Sequence, residues 1–256
     1  MLKNKTIVVT QGSEDVHILK GYLEKQGANV YEFPTIRLHK VSLNTEIESV
    51  LGNPANYDLL LFTSRHAALF FIEILVELNT KWNHIPSIAI GGATAAILQA
   101  QGFRVTMIPQ EFTSAGLGQE IMNIEGKRIL LPRSQLADDT LPQALKAKGA
   151  MVTALTLYTT EYIDTPDKNL EKMLADNDSS LYVTFTSPST ISGFTMRLGK
   201  SILDQVIEEL PVVCIGPVTA EAARHVGFKH ILVADTHTLI GMVNVLLKDT
   251  NSHAIS

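Results

Sequence analysis

The sequence predicts an α/β protein built from two copies of one parallel-sheet unit, and three observations carry that expectation. Short apolar runs alternate with amphipathic helical patterns from one end to the other, the order expected of parallel strands joined by right-handed crossover helices. The chain repeats itself at a nearly constant offset of 122 to 125 residues. Its 256 residues, 45% hydrophobic and 18% charged, are too apolar for disorder and numerous enough for two modest cores.

Taken in order, Thr6–Thr10 (TIVVT) reads as a buried strand, and His17–Gln26 reads as a helix that stops at Gly27. Asn29–Phe33 is the next strand. Leu59–Thr63 follows as a strand, then a helix over Arg65–Leu78, a strand over Ser87–Ile90, a helix over Ala93–Gln101 and a strand over Val105–Ile108. The repeat is visible in the turns. Leu61-Phe62-Thr63-Ser64 recurs as Thr184-Phe185-Thr186-Ser187, offset by 123. Ile90-Gly91-Gly92-Ala93-Thr94-Ala95 recurs as Ile215-Gly216-Pro217-Val218-Thr219-Ala220, offset by 125, and Gly116 matches Gly241 at the same spacing. Two extended stretches, Phe33–Leu38 and Leu155–Thr160, occupy equivalent places in the copies and are candidate hinge strands. The repeat alone leaves two connections open: tandem halves divided near Glu125, or halves that exchange their first strand–helix–strand pieces.

Composition excludes several classes of function. A net charge of −5 supplies no global basic field for nucleic acid or an anionic membrane. The single cysteine, Cys214, rules out an intrachain disulfide and reads as a buried strand residue. No signal-peptide pattern opens the chain, and the most apolar window, Leu59–Leu78, is broken by Arg65, His66, Glu73 and Glu77. A soluble cytoplasmic protein is expected. No Gly-x-Gly-x-x-Gly follows a strand, the Gly116-Leu117-Gly118 triplet reads as part of a helix, and no Walker motif or Gly-x-Ser-x-Gly elbow is present. The eight histidines lack ligand spacing, so neither metal nor cofactor is expected.

The chemistry-bearing residues cluster at strand-to-helix turns. Ser64 and Ser187 end one pair of strands, while Thr94 and Thr219 enter the helices after the other pair. Open α/β sheets bind ligands at such carboxyl ends, and helix N-termini offer unpaired N–H groups to anions. Gly91, Gly92 and Gly216 allow close backbone approach. The commonest use of such Ser and Thr residues is plain helix capping; two copies suggest two anion-binding rims lining one cleft. Arg133 ends a strand and has the geometry to hold a carboxylate or a surface ion pair, and Arg65 follows Ser64. Tyr158 is an apolar-strand tyrosine whose default is to pack with its hydroxyl at the surface. Lys127 and Arg128 precede their strand and fall at the opposite edge.

In this order, Phe62-Thr63-Ser64, Ile90-Gly91-x-x-Thr94-Ala95, Arg133, Lys148-Gly149-Ala150, Leu157-Tyr158-Thr159-Thr160, Phe185-Thr186-Ser187-Pro188-Ser189 and Ile215-Gly216-Pro217-x-Thr219-Ala220 resemble the uroporphyrinogen-III synthase family over nearly the whole chain. The resemblance implies two flavodoxin-like domains with exchanged connections, residues 1–35 plus 162–256 and residues 39–156, joined by hinge strands at 33–40 and 155–162. It implies a cofactor-free lyase that cyclises hydroxymethylbilane to uroporphyrinogen III, with loss of water and inversion of the last ring through a spiro intermediate. The Tyr-x-Thr tyrosine implicated in catalysis matches Tyr158, and the cleft-facing Ser and Thr positions match Ser64, Thr94, Ser187 and Thr219; Gly91, Arg65 and Arg133 are added as substrate contacts from their own places at the strand-to-helix turns, Arg65 standing where the family often has Pro or a small residue. Many relatives end the first strand in Arg, where this chain has Thr10-Gln11-Gly12. The implied partners are the small-molecule substrate and hydroxymethylbilane synthase as its supplier, with no nucleic acid or membrane and a monomeric chain. The rivals are a two-domain clamp of the solute-binding kind and a nucleotide-sugar transferase; the missing phosphate loop counts against the second.

Overall fold

The computed structural model describes residues 1–12, 16–109, 120–175, 180–198 and 200–252. In chain order it contains β1 (Thr6–Val9), α1 (Val16–Lys25), β2 (Asn29–Glu32), β3 (Ile36–Lys40), α2 (Thr45–Leu51), β4 (Leu59–Phe62) and α3 (Arg65–Glu77). There follow β5 (Ser87–Ala89), α4 (Gly92–Ala100), β6 (Val105–Met107), β7 (Arg128–Ser134), α5 (Thr140–Ala147), β8 (Met151–Tyr162) and α6 (Lys168–Ala175). The rest comprises β9 (Leu181–Phe185), α7 (Pro188–Leu198), α8 (Lys200–Val206), β10 (Val212–Cys214), α9 (Pro217–Val226), β11 (Ile231–Val233) and α10 (Leu239–Ser252). The Gly116-Leu117-Gly118 triplet lies outside the described residues. No described helix is long and apolar enough to cross a membrane.

The chain divides into two compact units, Met1–Arg37 with Glu161–Ser256, and Leu38–Thr160. The first unit carries the sheet order β11-β10-β9-β1-β2, and the second sheet runs β3-β8-β7-β4-β5-β6. Leaving β3 aside, β2-β1-β9-β10-β11 and β8-β7-β4-β5-β6 are the same doubly wound order. The pieces are supplied in opposite sequence. In the first unit the strand–helix–strand piece β1-α1-β2 precedes the other three strands; in the second, β7-α5-β8 follows them. With β3 again left aside, the pairings along these sheets are parallel, from Thr6↔Leu181 between β1 and β9 to Leu59↔Ile129 between β4 and β7.

Each sheet is buried on both faces, which explains its near-continuous apolar strands. Alternate residues divide between two clusters. Leu60, Phe62, Leu130 and Leu155 pack on one face with Phe71 and Trp82, while Leu61, Ile129 and Leu131 pack on the other with Leu141 and Leu145. In the first unit Val8, Val183, Phe185 and Val212 face Phe194, and Ile7, Val9 and Val213 face Leu19 and Leu23. Cys214 is fully buried in β10, where burial pushes its thiol up to about 12. Two buried polar groups find backbone partners: the Trp82 indole donates to Leu51 O at 3.0 Å, and the Thr184 hydroxyl donates to Val8 O at 3.0 Å.

The segment leaving β2 is fastened to its own unit. Thr35 donates through its hydroxyl to Thr190 O at 3.1 Å, and its amide donates to Thr10 O at 3.2 Å. Arg197 on α7 stacks 3.9 Å over the Phe33 ring, donates to Pro34 O at 2.7 Å and also binds Thr165 O. The returning segment joins the same cluster through Ile163 N to Thr35 O, 3.0 Å. Gly193 makes this approach possible, because a Cβ there would lie 2.5 Å from Thr35 O.

Gly193→Ala is therefore expected to destabilise the chain by about 1–3 kcal/mol through overpacking, read as a lowered midpoint in urea unfolding. A second expectation concerns acid. Arg128 grips Asp58 bidentately at 2.8 and 3.1 Å and also donates its amide, which holds the Asp58 carboxyl at about 2. An unfolded Asp titrates near about 4, so this interaction stabilises the fold above about pH 4 and is lost as pH falls toward 2. Asp58→Asn should flatten the acid limb of stability in that window, and an unchanged slope would show that the pair contributes nothing.

Candidate active site at the sheet switch points

An open parallel sheet makes a crevice where adjacent strands send their following helices to opposite faces. In the second unit this occurs between β4 and β7: α3 joins the cluster around Phe62, and α5 joins the cluster around Leu61. In the first unit it occurs between β1 and β9, with α1 and α7 in opposite clusters. The hydroxyl-bearing turns Thr63-Ser64 and Thr186-Ser187 stand at these two places.

Ser64 is the N-cap of α3. Its extended backbone, with φ −150° and ψ 154°, lets its Oγ accept the Ala67 N–H at 3.1 Å. The same Oγ lies 3.1 Å from the Tyr158 hydroxyl, which reaches across from β8. Sequence reasoning gave Tyr158 a hydroxyl at the surface by default. The structure instead buries the residue to 7% exposure, stacked on Phe70 with ring centroids 5.2 Å apart and with His66 beyond at 6.3 Å. Burial pushes the Tyr158 phenol above the usual tyrosine range, and hydrogen bonds with Ser64 and Ser134 pull it back. Ser64, His66 and Phe70 all sit on the first turns of α3, so one helix start organises the tyrosine's surroundings.

Gly91, the N-cap of α4, has φ +85°, a conformation that β-carbon sterics deny to most residues. Thr94, three residues on, is buried at 3% exposure. In the first unit Gly216 at the start of α9 has extended backbone instead, φ −173°, with Pro217 as first helical residue and Thr219 buried at 3%. The Gly turns are thus equivalent in position and different in backbone.

The two serines also differ. Ser187 Oγ lies 2.8 Å from Ser189 Oγ, the Ser187 N–H donates to Thr190 Oγ1 at 3.3 Å, and the Thr190 N–H donates back to Ser187 Oγ at 3.4 Å. Its hydroxyl is spent on its own helix start. The residue equivalent to Thr190 in the other copy, 123 positions earlier, is Ala67, which has no hydroxyl to compete. Ser64 is left for Tyr158. Arg133 is 9% exposed, and its guanidinium holds Asp139 at 2.7 Å and the carbonyl of Ala137, so it organises the turn after β7. Arg65 opens α3 beside Ser64, whereas Arg128 starts β7 at the far edge. Gln11, following β1, is 2% exposed, and its Oε1 has no partner among the described residues.

Sequence reasoning missed Ser134. Its signal was present: it ends an apolar strand immediately after Arg133, as Ser64 and Ser187 end theirs. Among the described residues no group of three His, Cys, Asp or Glu side chains is placed to hold a metal. The site therefore offers a buried phenol, hydroxyls and helix N-termini, a set suited to proton transfer and to gripping anions.

Comparisons with known proteins fit this chemistry. Residues 18–244 match the family model described as uroporphyrinogen-III synthase HemD. The chain is 28% identical to the porphyrin biosynthesis protein HemD of Ruminiclostridium josui over 94% of its own length, and it spans 48% of that longer protein. It is 26% identical to uroporphyrinogen-III synthase of Synechococcus elongatus, covering 94% of both chains. The Escherichia coli uroporphyrinogen-III synthase is 27% identical, with 90% of this chain and 95% of that one covered. In fold, the chain is similar to a mutant uroporphyrinogen III synthase from the extremely thermophilic bacterium Thermus thermophilus, with a TM-score of 0.69 at 20% identity over 97% and 99% of the two chains.

Because Ser64 satisfies the first turn of α3, Ser64→Ala is expected to cost about 1 kcal/mol of stability, measured by thermal or urea unfolding. A cost near zero would mean that the cap is supplied by another group.

Proposed function

The chain belongs to the uroporphyrinogen-III synthase family, and on that premise we propose that it cyclises hydroxymethylbilane to uroporphyrinogen III with loss of water and inversion of the last ring. The product makes it an enzyme of tetrapyrrole and haem biosynthesis. The observation that carries the chemical part of this reading is the buried Tyr158 hydroxyl, 3.1 Å from Ser64 Oγ at a sheet switch point.

The reaction sets two tasks. Water must leave from the hydroxymethyl carbon, and a floppy chain bearing eight carboxylates must fold so that its ends meet correctly. For the first, Tyr158 is the proton donor: burial keeps its phenol protonated at neutral pH. As the C–O bond breaks, the phenol proton goes to the departing hydroxyl, leaving water, an azafulvenium cation and a tyrosinate beside it. The substituted carbon of the far ring attacks the cation to give the spiro intermediate, which fragments and recloses with that ring inverted. The proton lost from the final ring carbon restores Tyr158, so the balance is one substrate to one product and one water.

For the second task, the helix starts at Ser64, Gly91, Ser187 and Gly216 present backbone N–H groups to the substrate's carboxylates. Thr94 and Thr219 shape two of these turns, and Arg65 adds charge beside the first. Arg133 takes a carboxylate by exchanging it for Asp139, which is 70% exposed. Fixing several carboxylates at once replaces translational freedom with orientation, the contribution that redirects closure from the uninverted isomer. We further propose that the chain acts as a cytoplasmic monomer and receives its self-cyclising substrate from hydroxymethylbilane synthase.

The test is an isomer assay with freshly generated hydroxymethylbilane, followed by oxidation and separation of type I from type III porphyrins. Predominant type III product is expected; type I alone, at the spontaneous rate, would leave only the fold in common with the family and favour a binding clamp. Tyr158→Phe should lower kcat by about 100-fold with an unchanged melting temperature. Undiminished turnover would remove Tyr158 from the mechanism.

A further inference from the structure

We propose that Ser134, together with Ser64, donates a hydrogen bond into the Tyr158 hydroxyl oxygen and so aims the phenol's own proton outward. Along β7 and β8 the parallel register is regular up to Arg133↔Thr156, and then jumps to Ser134↔Tyr158. Without that irregularity Ser134 would stand opposite Leu157. Facing residues in a ladder share a side of the sheet, and a one-residue slip exchanges sides. The bulge therefore turns Tyr158 to the side that Ser134 occupies, a re-aiming that bulges commonly perform. The turn is held by the Gln135 N–H, which donates to Tyr158 O at 3.0 Å.

The donors and lone pairs of the three hydroxyls favour this direction. A serine hydroxyl has one proton to donate and two lone pairs to accept with. Ser64 Oγ already accepts the Ala67 N–H at 3.1 Å, and Ser134 Oγ already accepts the Leu136 N–H at 3.1 Å. Each serine oxygen is thus engaged by an amide and keeps its proton and one lone pair; Tyr158 has a single proton and can donate to only one serine at a time, so donation from the serines is the direction that serves both contacts. Tyr158 Oη is the acceptor proposed for both: it lies 3.1 Å from Ser64 Oγ, and Ser134 stands opposite Tyr158 in the ladder and lowers its phenol. An oxygen that accepts two hydrogen bonds must point its own proton along the remaining direction. Both donors also strengthen when the oxygen becomes charged, so they favour the tyrosinate left after proton transfer. The opposing effects on the phenol agree with this: burial raises it, and the two serines lower it.

This inference rests on Tyr158 as the proton donor, but its test does not. The protein labelled with 3-fluorotyrosine, whose phenol is more acidic, is titrated by fluorine NMR. The Tyr158 signal is the one of six that disappears in Tyr158→Phe. His66 is the titratable ring facing Tyr158, and its effect on the signal is separated by repeating the titration in His66→Phe. Ser134 is the residue to vary, since Ser64 also caps α3. Ser134→Ala should raise the Tyr158 midpoint by about one pH unit, the equivalent of one hydrogen bond to a charged acceptor. Ser134→Thr, which keeps the hydroxyl, should restore it. In the isomer assay Ser134→Ala should lower kcat by about tenfold and leave KM unchanged. An unmoved midpoint in Ser134→Ala overturns the proposal. A raised midpoint with full turnover upholds the donation by Ser134 and instead removes Tyr158 as the donor.

Discussion

The parallel pairing of strands far apart in the chain is the constraint on which the rest depends. The Thr10 hydroxyl donates to Thr184 O at 2.6 Å across 174 positions of sequence, and without β1 against β9 the first unit has no central strand pair. The entropic cost of such a closure grows only with the logarithm of loop length, so a crossing this long costs little more than one half its size. It is repaid by burial: Ile7, Val8 and Val9 are fully enclosed only when both neighbours and both helix layers are present. The same pairing creates the switch point. Function and stability therefore share one origin, since the crevice exists only where the strands that form it have met.

Duplication gave two such crevices the same parts, and small differences gave them different capacities. Ser187 is closed into its own helix start by Ser189 and Thr190. Ser64 has Ala67 in the place of that threonine, and its oxygen is available to Tyr158. Arg133 is held by its own loop through Asp139, while the equivalent end of β1 carries the buried, neutral Gln11. The Tyr158 phenol, buried against Phe70, is a weak acid kept neutral, whereas the other turn gathers the hydroxyls of Ser187, Ser189 and Thr190. On the proposed reading, the second unit carries the proton chemistry.

Much of this was legible along the chain. The α/β class and the boundaries of the early elements follow from local periodicity: the helix expected over His17–Gln26 forms over Val16–Lys25, and the strand expected over Ser87–Ile90 forms over Ser87–Ala89. The buried place of Cys214 followed from its apolar run. Ser64 and Ser187 were recognisable because capping residues announce helix starts within three or four positions. These are short-range properties, and a sequence records them directly.

What only the tertiary structure decided depends on which strand lies beside which. The repeat was readable, yet whether β1 pairs with β4 or β9 is a matter of closure between distant segments, for which no local pattern codes. Ser134 carried no mark that distinguished it from any strand-end serine; its meeting with Tyr158 requires the parallel registry of β7 with β8 and a one-residue bulge within it. Tyr158 looked like a tyrosine with a wet hydroxyl because its enclosing partners, Ser64 and Phe70, lie about ninety residues away on another helix start. The residue types were written in the sequence. Their protonation, partners and direction were set by packing, because hydrogen bonds and burial act over a few ångströms and the chain alone does not say what those ångströms contain.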